Sequence, residues 1–270
     1  MNIVFDIGGT NMRVAAAHDG TLGEVKRVPT PRDPQDALNT FVNAALQLAV
    51  GEKIMAVAGG IRDRVVDGIF LKSKVLPQWE NLLLVSELSK RLGAPVHIVH
   101  DTAAAGLGEA HAGAGRGSRI CAYVTVSTGV GGDRIVDGVI DRSTYNPEIG
   151  RQLVNGFDLE DLVSGAAVEK KFGIHPKELD SIEERNKLAD LLAIGLRNTV
   201  VHWSPDAIVL GGSMIVGVNP IPIERVRESL IKQLIMYPHA PEIKMAELGD
   251  NGGLHGAMIL AGQWAMPFAV

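Results

Sequence analysis

The sequence predicts an α/β protein of two lobes with a duplicated core, and three observations carry that expectation. Short apolar runs alternate with stretches whose apolar residues recur at helical spacing. A strand, glycine turn, strand unit occurs twice, near residues 3–17 and 119–140. Between the copies lies GAGRGS at 113–118, the best hinge candidate in the chain.

Element by element, NIVFDI is an apolar run that suits a buried strand beginning almost at residue 2. GGTN makes a turn, MRVAAAH a second strand, and Thr21 to Pro29 a third. Asp36 to Val50 places Leu38, Phe41, Val42, Ala45, Leu46 and Ala49 at the spacing of an amphipathic helix. KIMAVAGG returns to a strand, and residues 82–92 form a helix stopped by Gly93. PVHIVHD is a strand that leads into the small-residue helix TAAAGLGEAH. In the second half RICAYVTVS is a strand, a glycine turn follows, and RIVDGVI is another strand. Asn186 to Trp203 is a helix with Leu188, Leu192, Leu196, Val200 and Trp203 on one face. DAIVLGGS is a strand, Glu224 to Met236 a helix, EIKMAEL a strand, and Gly253 to Trp264 the closing helix. The expected division is residues 1–114 plus a C-terminal helix at about 253–270 in one lobe, and 115–252 in the other.

Composition narrows the classes. With 46% hydrophobic and 21% charged residues, the chain is that of an ordinary globular protein, not a disordered or fibrous one. No apolar run approaches the roughly 20 residues that span a bilayer, and the first segment lacks a leader's hydrophobic centre. A cytoplasmic protein without membrane attachment is expected. The single cysteine, Cys121, excludes an intrachain disulfide and a cysteine-rich metal site. A net charge of −5 without a long basic block argues against nucleic-acid binding.

The glycines carry the chemistry. Gly8-Gly9-Thr10, Gly129-Val130-Gly131-Gly132 and Gly211-Gly212-Ser213 each follow an apolar strand. Glycine lets backbone approach a ligand, and exposed N–H groups attract phosphate oxygens. Asp6 precedes the first turn, where it can hold a hydrated magnesium ion, and Thr10, Asn11 and Arg13 follow. The alternative is a plain hairpin with a glycine turn. A Walker-type ending is absent, and GAGRG at 113–117 follows a helix rather than a strand, so it is a connector. His100-Asp101 stands at the carboxyl end of a strand, where open α/β sheets place ligands; Asp101 also suits a simple helix cap. Glu148 and Glu160 lie in polar surroundings as site residues or solvated surface carboxylates. Trp79 and Trp264 are core or interface anchors, and His97, His111 and His255 show no metal-ligand spacing.

Taken together these segments resemble the ROK family of sugar kinases and repressors, within the actin-like, hexokinase-like ATPase superfamily. DIGGTNMR at 6–13 is similar to its first phosphate motif, and HDTAAAGLGE at 100–109 to the block whose aspartate is the catalytic base, here Asp101. STGVGGD at 127–133 resembles the second phosphate motif, with Thr128, Gly129, Gly131 and Gly132. PEIG at 147–150 and LEDLVSG at 159–165 resemble sugar-binding segments, which implies roles for Glu148 and Glu160. IVLGGS at 208–213 resembles the adenosine motif, with Gly211 and Gly212, and LGDNGGLHGA at 248–257 the closing helix. The resemblance implies a ribonuclease H-like fold with a cleft between lobes and ATP-dependent transfer to a hexose hydroxyl, the 6-hydroxyl of glucose or a relative. It also implies Mg²⁺, and sugar contacts that include Gly60, His100 and Arg151.

This chain departs from the family pattern at several places. Arg151 stands where histidine is usual, the cysteine cluster that binds zinc is missing, His100 replaces asparagine, and Val75 stands where asparagine is common. No zinc site is expected, and substrate identity is more open than reaction type. Rival readings are a non-catalytic sugar sensor, a polyphosphate-using glucokinase and an ATPase without a sugar. The family's repressors carry a DNA-binding region before the first motif, which here begins at residue 6, so DNA binding is not expected. The family allows a homodimer, although no stripe in the sequence marks an interface.

Overall fold

A computed structural model describes residues 1–265 and divides them into two compact units. The first unit runs from Met1 to His111 and resumes at Asp250; the second is Ala112–Gly249. The expected extension of the last helix over 266–270 lies outside the described residues, as does the side chain of Trp264.

The first unit opens with β1 (Asn2–Ile7), β2 (Asn11–His18) and β3 (Thr21–Pro29), an antiparallel meander. Helix α1 (Pro34–Ala49) follows, where the Asp33 carboxylate caps the N–H groups of Gln35 and Asp36 and Pro34 supplies a preset first turn. Strand β4 (Ala56–Ile61), the short hairpin β5 (Val65–Val66) and β6 (Ile69–Phe70), α2 (Leu84–Leu92), β7 (Val96–His100) and α3 (Asp101–Ala112) complete this stretch. Gly93 ends α2 at a φ of 64°, the left-handed cap expected of it. The sheet order is β3-β2-β1-β4-β7, with β1, β4 and β7 parallel.

Alternation along β1 sorts its side chains. Ile3, Phe5 and Ile7 enter a core with Leu38 and Phe41 of α1 and Leu84 and Leu88 of α2, and the Phe5 and Phe41 rings meet edge to face at 5.2 Å. Val4 faces the opposite side, and by the same period so does Asp6. Trp79, in a 3-10 turn, is core: it is 1% exposed, and its indole N–H donates to the Pro31 carbonyl at 3.2 Å.

The second unit repeats the plan. Strands β8 (Ile120–Val126), β9 (Val130–Val136) and β10 (Val139–Ile140) form the meander. A small hairpin, β11 (Leu153–Val154) and β12 (Phe157–Asp158), precedes α4 (Leu159–Val163), α5 (Gly165–Phe172) and the long α6 (Ile182–Trp203). Then come β13 (Ala207–Gly211), α7 (Ser213–Val216), α8 (Ile223–Gln233) and β14 (Glu242–Met245). The order β10-β9-β8-β13-β14 matches the first sheet strand for strand. Ala122, Val124 and Val126 pack against Leu188, Leu192 and Leu196, the α6 face seen in the sequence. Cys121 is a buried strand residue. The final helix, α9 (Gly252–Ala265), returns to the first unit and covers β1 and β4, with Leu254 and Ala257 against Val4, Ala15 and Ala17.

Two expectations are corrected. RIVDGVI is not one strand: Asp137 and Gly138, at φ of 49° and 77°, turn the chain between β9 and β10. Gly131 and Gly132 are not in the turn. They lie inside β9 opposite Thr125 and Val124, and a Cβ on Gly132 would sit 2.4 Å from the Tyr123 carbonyl oxygen. At Gly132 the missing side chain serves sheet packing, and the turn itself is Ser127-Thr128-Gly129.

Candidate active site

In the first unit the carboxyl ends of the three parallel strands bring the candidate residues together. β1 runs into the turn Gly8-Gly9-Thr10, β4 ends at Gly60-Ile61, and β7 ends at His100 with Asp101 opening α3. The turn is held from below. Gly8 N–H donates to the Asn11 carbonyl at 3.0 Å, and the Thr30 hydroxyl donates to the Gly8 carbonyl at 2.7 Å. Gly9 leaves room for Val75, since a Cβ there would lie 2.3 Å from a Val75 methyl and that side chain would have to move. Val75, one of the family departures, therefore packs directly against the Gly8–Thr10 turn.

Asp6 pairs with its cross-strand neighbour Arg13, whose guanidinium donates to Oδ2 at 2.7 Å. Arg13 also donates to the Asp250 carbonyl ahead of α9. Burial pushes the Asp6 carboxyl up; Arg13 opposes that, and the charges of Asp101 and Asp250 add to it. Asp101 is more open, with 37% of its side chain exposed. Its Oδ1 accepts the Thr102 N–H at 2.7 Å, so it does fasten the start of α3, yet a helix cap alone would not require its other surroundings. His100 Nδ1 lies 3.2 Å from that oxygen and 2.7 Å from the Thr102 hydroxyl. Gly60 is buried under α3, where a Cβ would lie 3.0 Å from Asp101 Cα. Its lack of a side chain seats Asp101 on the sheet.

In the second unit β8 ends in the Ser127-Thr128-Gly129 turn and β13 in Gly211-Gly212, again at carboxyl ends of parallel strands. Thr128 is exposed, and the Ser127 and Thr128 carbonyls accept N–H groups of Gly165 (2.7 Å) and Ala166 (3.2 Å) at the start of α5. The space beside Gly211 is filled by the Tyr123 hydroxyl and the Ala246 methyl. Gly212, at a φ of 88°, stands against the Val126 carbonyl and the Thr125 hydroxyl. At both positions the chain's own atoms account for the missing side chain. Glu148 is exposed at the start of the 3-10 turn Ile149–Arg151. Glu160, in α4, is no solvated surface group: it accepts the Val130 N–H at 2.9 Å and pairs with Arg151 at 3.1 Å. Arg151 also reaches Asp158 at 3.0 Å, and the Asp158 hydrogen bond first, then Glu160, pushes its already high pKa further up. Neither that triplet nor the Val75–Gly9 contact is visible in sequence, since both pair residues from separate loops.

Among the described residues no group of three or more His, Cys, Asp and Glu side chains is arranged to hold a metal, and no helix is long and apolar enough to cross a membrane.

Two matching sheets, each with a tight turn between its first two strands, define an actin-like ATPase fold. The sequence model of the ROK family matches residues 2–264, and the chain belongs to that family. A ROK hexokinase from Thermus thermophilus is 26% identical and superposes with a TM-score of 0.89 over 98% of each chain. The fructokinase of Zymomonas mobilis is 30% identical over 210 residues, covering 68% of both chains. The glucokinase of Streptomyces coelicolor is 24% identical over 311 residues, covering 97% of both.

Proposed function

We propose that this chain is an ATP-dependent hexose kinase that phosphorylates the 6-hydroxyl of glucose or a closely related hexose. One observation carries the reading. The Gly8–Thr10 turn, Asp6 and Asp101 gather at the carboxyl ends of the parallel strands of one sheet, where α/β proteins bind their ligands. Sugar kinases among the relatives support the reaction class, and their different sugars leave the acceptor to be determined.

In this mechanism Asp101 Oδ accepts the proton of the attacking hydroxyl. The sugar oxygen then bonds to the γ-phosphorus as the bond to the bridging oxygen breaks, leaving ADP and Asp101 protonated. General-base help of this kind contributes roughly 10²–10⁴ in rate. In the first unit, backbone N–H groups of the Gly8–Thr10 turn would hold phosphate oxygens, with Thr10 and Asn11 beside them; in the second, the Ser127–Gly129 turn offers the same kind of N–H groups with Thr128 beside them. Gly211 and Gly212 would border the adenosine end. In the first unit His100, and in the second Glu148, Glu160 and Arg151, are the candidates to meet sugar hydroxyls, the carboxylates as acceptors only. Magnesium, where bound, supplies charge neutralisation at the phosphates. A single carboxylate, Asp6, fits an ion that keeps its waters and takes its other ligands from phosphate. Arg13 is committed to Asp6 in this geometry, so its first duty is to hold that carboxylate.

Initial rates with Mg-ATP over glucose, mannose, fructose and their N-acetylamino relatives test the proposal, with polyphosphate as a second donor. Asp101→Asn should bind hexose almost normally and lose on the order of 10²–10⁴ in kcat. Near wild-type kcat in that variant would remove Asp101 as the base. Tight hexose binding without turnover with either donor would instead identify a sugar sensor.

A further inference from the structure

The Ser127–Gly129 turn is gripped on both sides by one short segment of its own unit. At one end Glu160 Oε2 takes the Val130 N–H, and that oxygen lies 2.4 Å from where a Gly129 Cβ would be. At the other, the N–H groups of Gly165 and Ala166 take the Ser127 and Thr128 carbonyls. Glu160 is itself restrained, because its Oε1 pairs with Arg151, which is anchored again by Asp158. A carboxylate placed this close to a phosphate-binding turn would repel the ligand unless its charge were offset, and Arg151 offsets it.

We propose that Glu160 is a positioning residue for the Ser127–Gly129 turn, with Arg151 holding and neutralising its carboxylate. The segment that carries a sugar-binding residue thereby also sets the backbone that receives the nucleotide's phosphates. Arg151 acquires a reason for standing where the family has histidine: it bridges two acids and steadies the brace. The inference rests on reading that turn as a phosphate site.

Calorimetric titrations of the full chain with magnesium test it, using a non-hydrolysable ATP analogue, adenosine and the preferred hexose as separate probes. Glu160→Ala should weaken the analogue by on the order of tenfold, as expected for a lost charged hydrogen bond, while adenosine affinity is unchanged. Glu160→Gln keeps an acceptor for the Val130 N–H but loses the ion pair, and should fall between. Gly129→Ala should show the same analogue-selective loss, and adding Glu160→Ala to it should cause no further loss, because the crowding carboxylate is gone. Melting temperatures within a few degrees of wild type exclude global damage, and the glutamine variant decides the matter if the alanine variant does not fold. The affinity for the analogue decides the outcome whatever the hexose affinity does. Unchanged analogue affinity in both Glu160 variants, or losses that simply multiply in the double variant, would overturn the inference and leave the kinase reading intact. A wild-type chain that neither binds the analogue nor phosphorylates any hexose would overturn both.

Discussion

At Asp6 two opposing forces meet in one side chain. Burial, the largest influence, resists its ionisation; Arg13 favours it, the neighbouring carboxylates of Asp101 and Asp250 add to the effect of burial, and its pKa rises above the ordinary 3.8. A raised carboxyl pKa means the folded state holds its proton longer than the unfolded state does. Stability from this group is therefore greatest at low pH and is lost as pH climbs from about 4 through the raised value. Asp6→Asn should remove that decline. In denaturant unfolding it should be at least as stable as the parent at neutral pH while turnover falls, the trade expected where a strained group serves function. An equal pH slope in both proteins would show that Asp6 is not the source. Residues of this kind were only half legible. Asp6, Gly8 and Asp101 announce themselves by lying after or beside apolar strands. The pairing of Arg151 with Glu160 and the pressure of Val75 on Gly9 depend on loops whose paths no local pattern specifies.

Among elements, α3, which begins with Asp101, packs closely against α9. Their backbones touch: a Cβ on Gly256 would lie 1.7 Å from the Ala104 carbonyl oxygen, and one on Gly108 would lie 2.3 Å from that of Gly252. Alanine at 256 gains about 1 kcal/mol of helix propensity. Forcing a methyl into a packed contact costs typically 1–3 kcal/mol, and here the obstacle is backbone that cannot swing aside. With the cost at the upper end of that range, the Gly256→Ala variant should be destabilised by about 2 kcal/mol net and should lose turnover more than a surface variant of equal stability, read from urea unfolding and kcat. Most helices and strands were legible from period and caps, including the valine- and isoleucine-rich strands and the α6 face. The failures have a common form. Asp137-Gly138 sits inside an otherwise continuous apolar run, so the strand pattern hid a turn that two positive φ values reveal. The same Asx-Gly pair bends the chain at Asp19-Gly20, Asp67-Gly68 and Asn155-Gly156. The short α4 and α5 carry too few residues to show a period.

For the whole molecule, the doubled strand–turn–strand pattern made the repeated sheet legible, because each copy keeps its own apolar strands and its own turn. The return of the last helix to the first unit is not written in its own period or caps, since nothing local in Gly252–Ala265 says which sheet it covers. Ligands of a native site stabilise only the folded form. A hexose at about a hundredfold its Kd should therefore add about 2.7 kcal/mol, seen as a higher melting temperature, and one that the chain does not bind should add nothing. The late position of α9 also has a consequence during translation. At about 5–20 residues per second, roughly seven to thirty seconds separate the emergence of α3 from that of α9. Throughout that interval Val4, Ala15 and Ala17 lack Leu254 and Ala257 as cover on the nascent chain. The first unit is thus the part a ribosome-associated chaperone would have to shield, although it is made first.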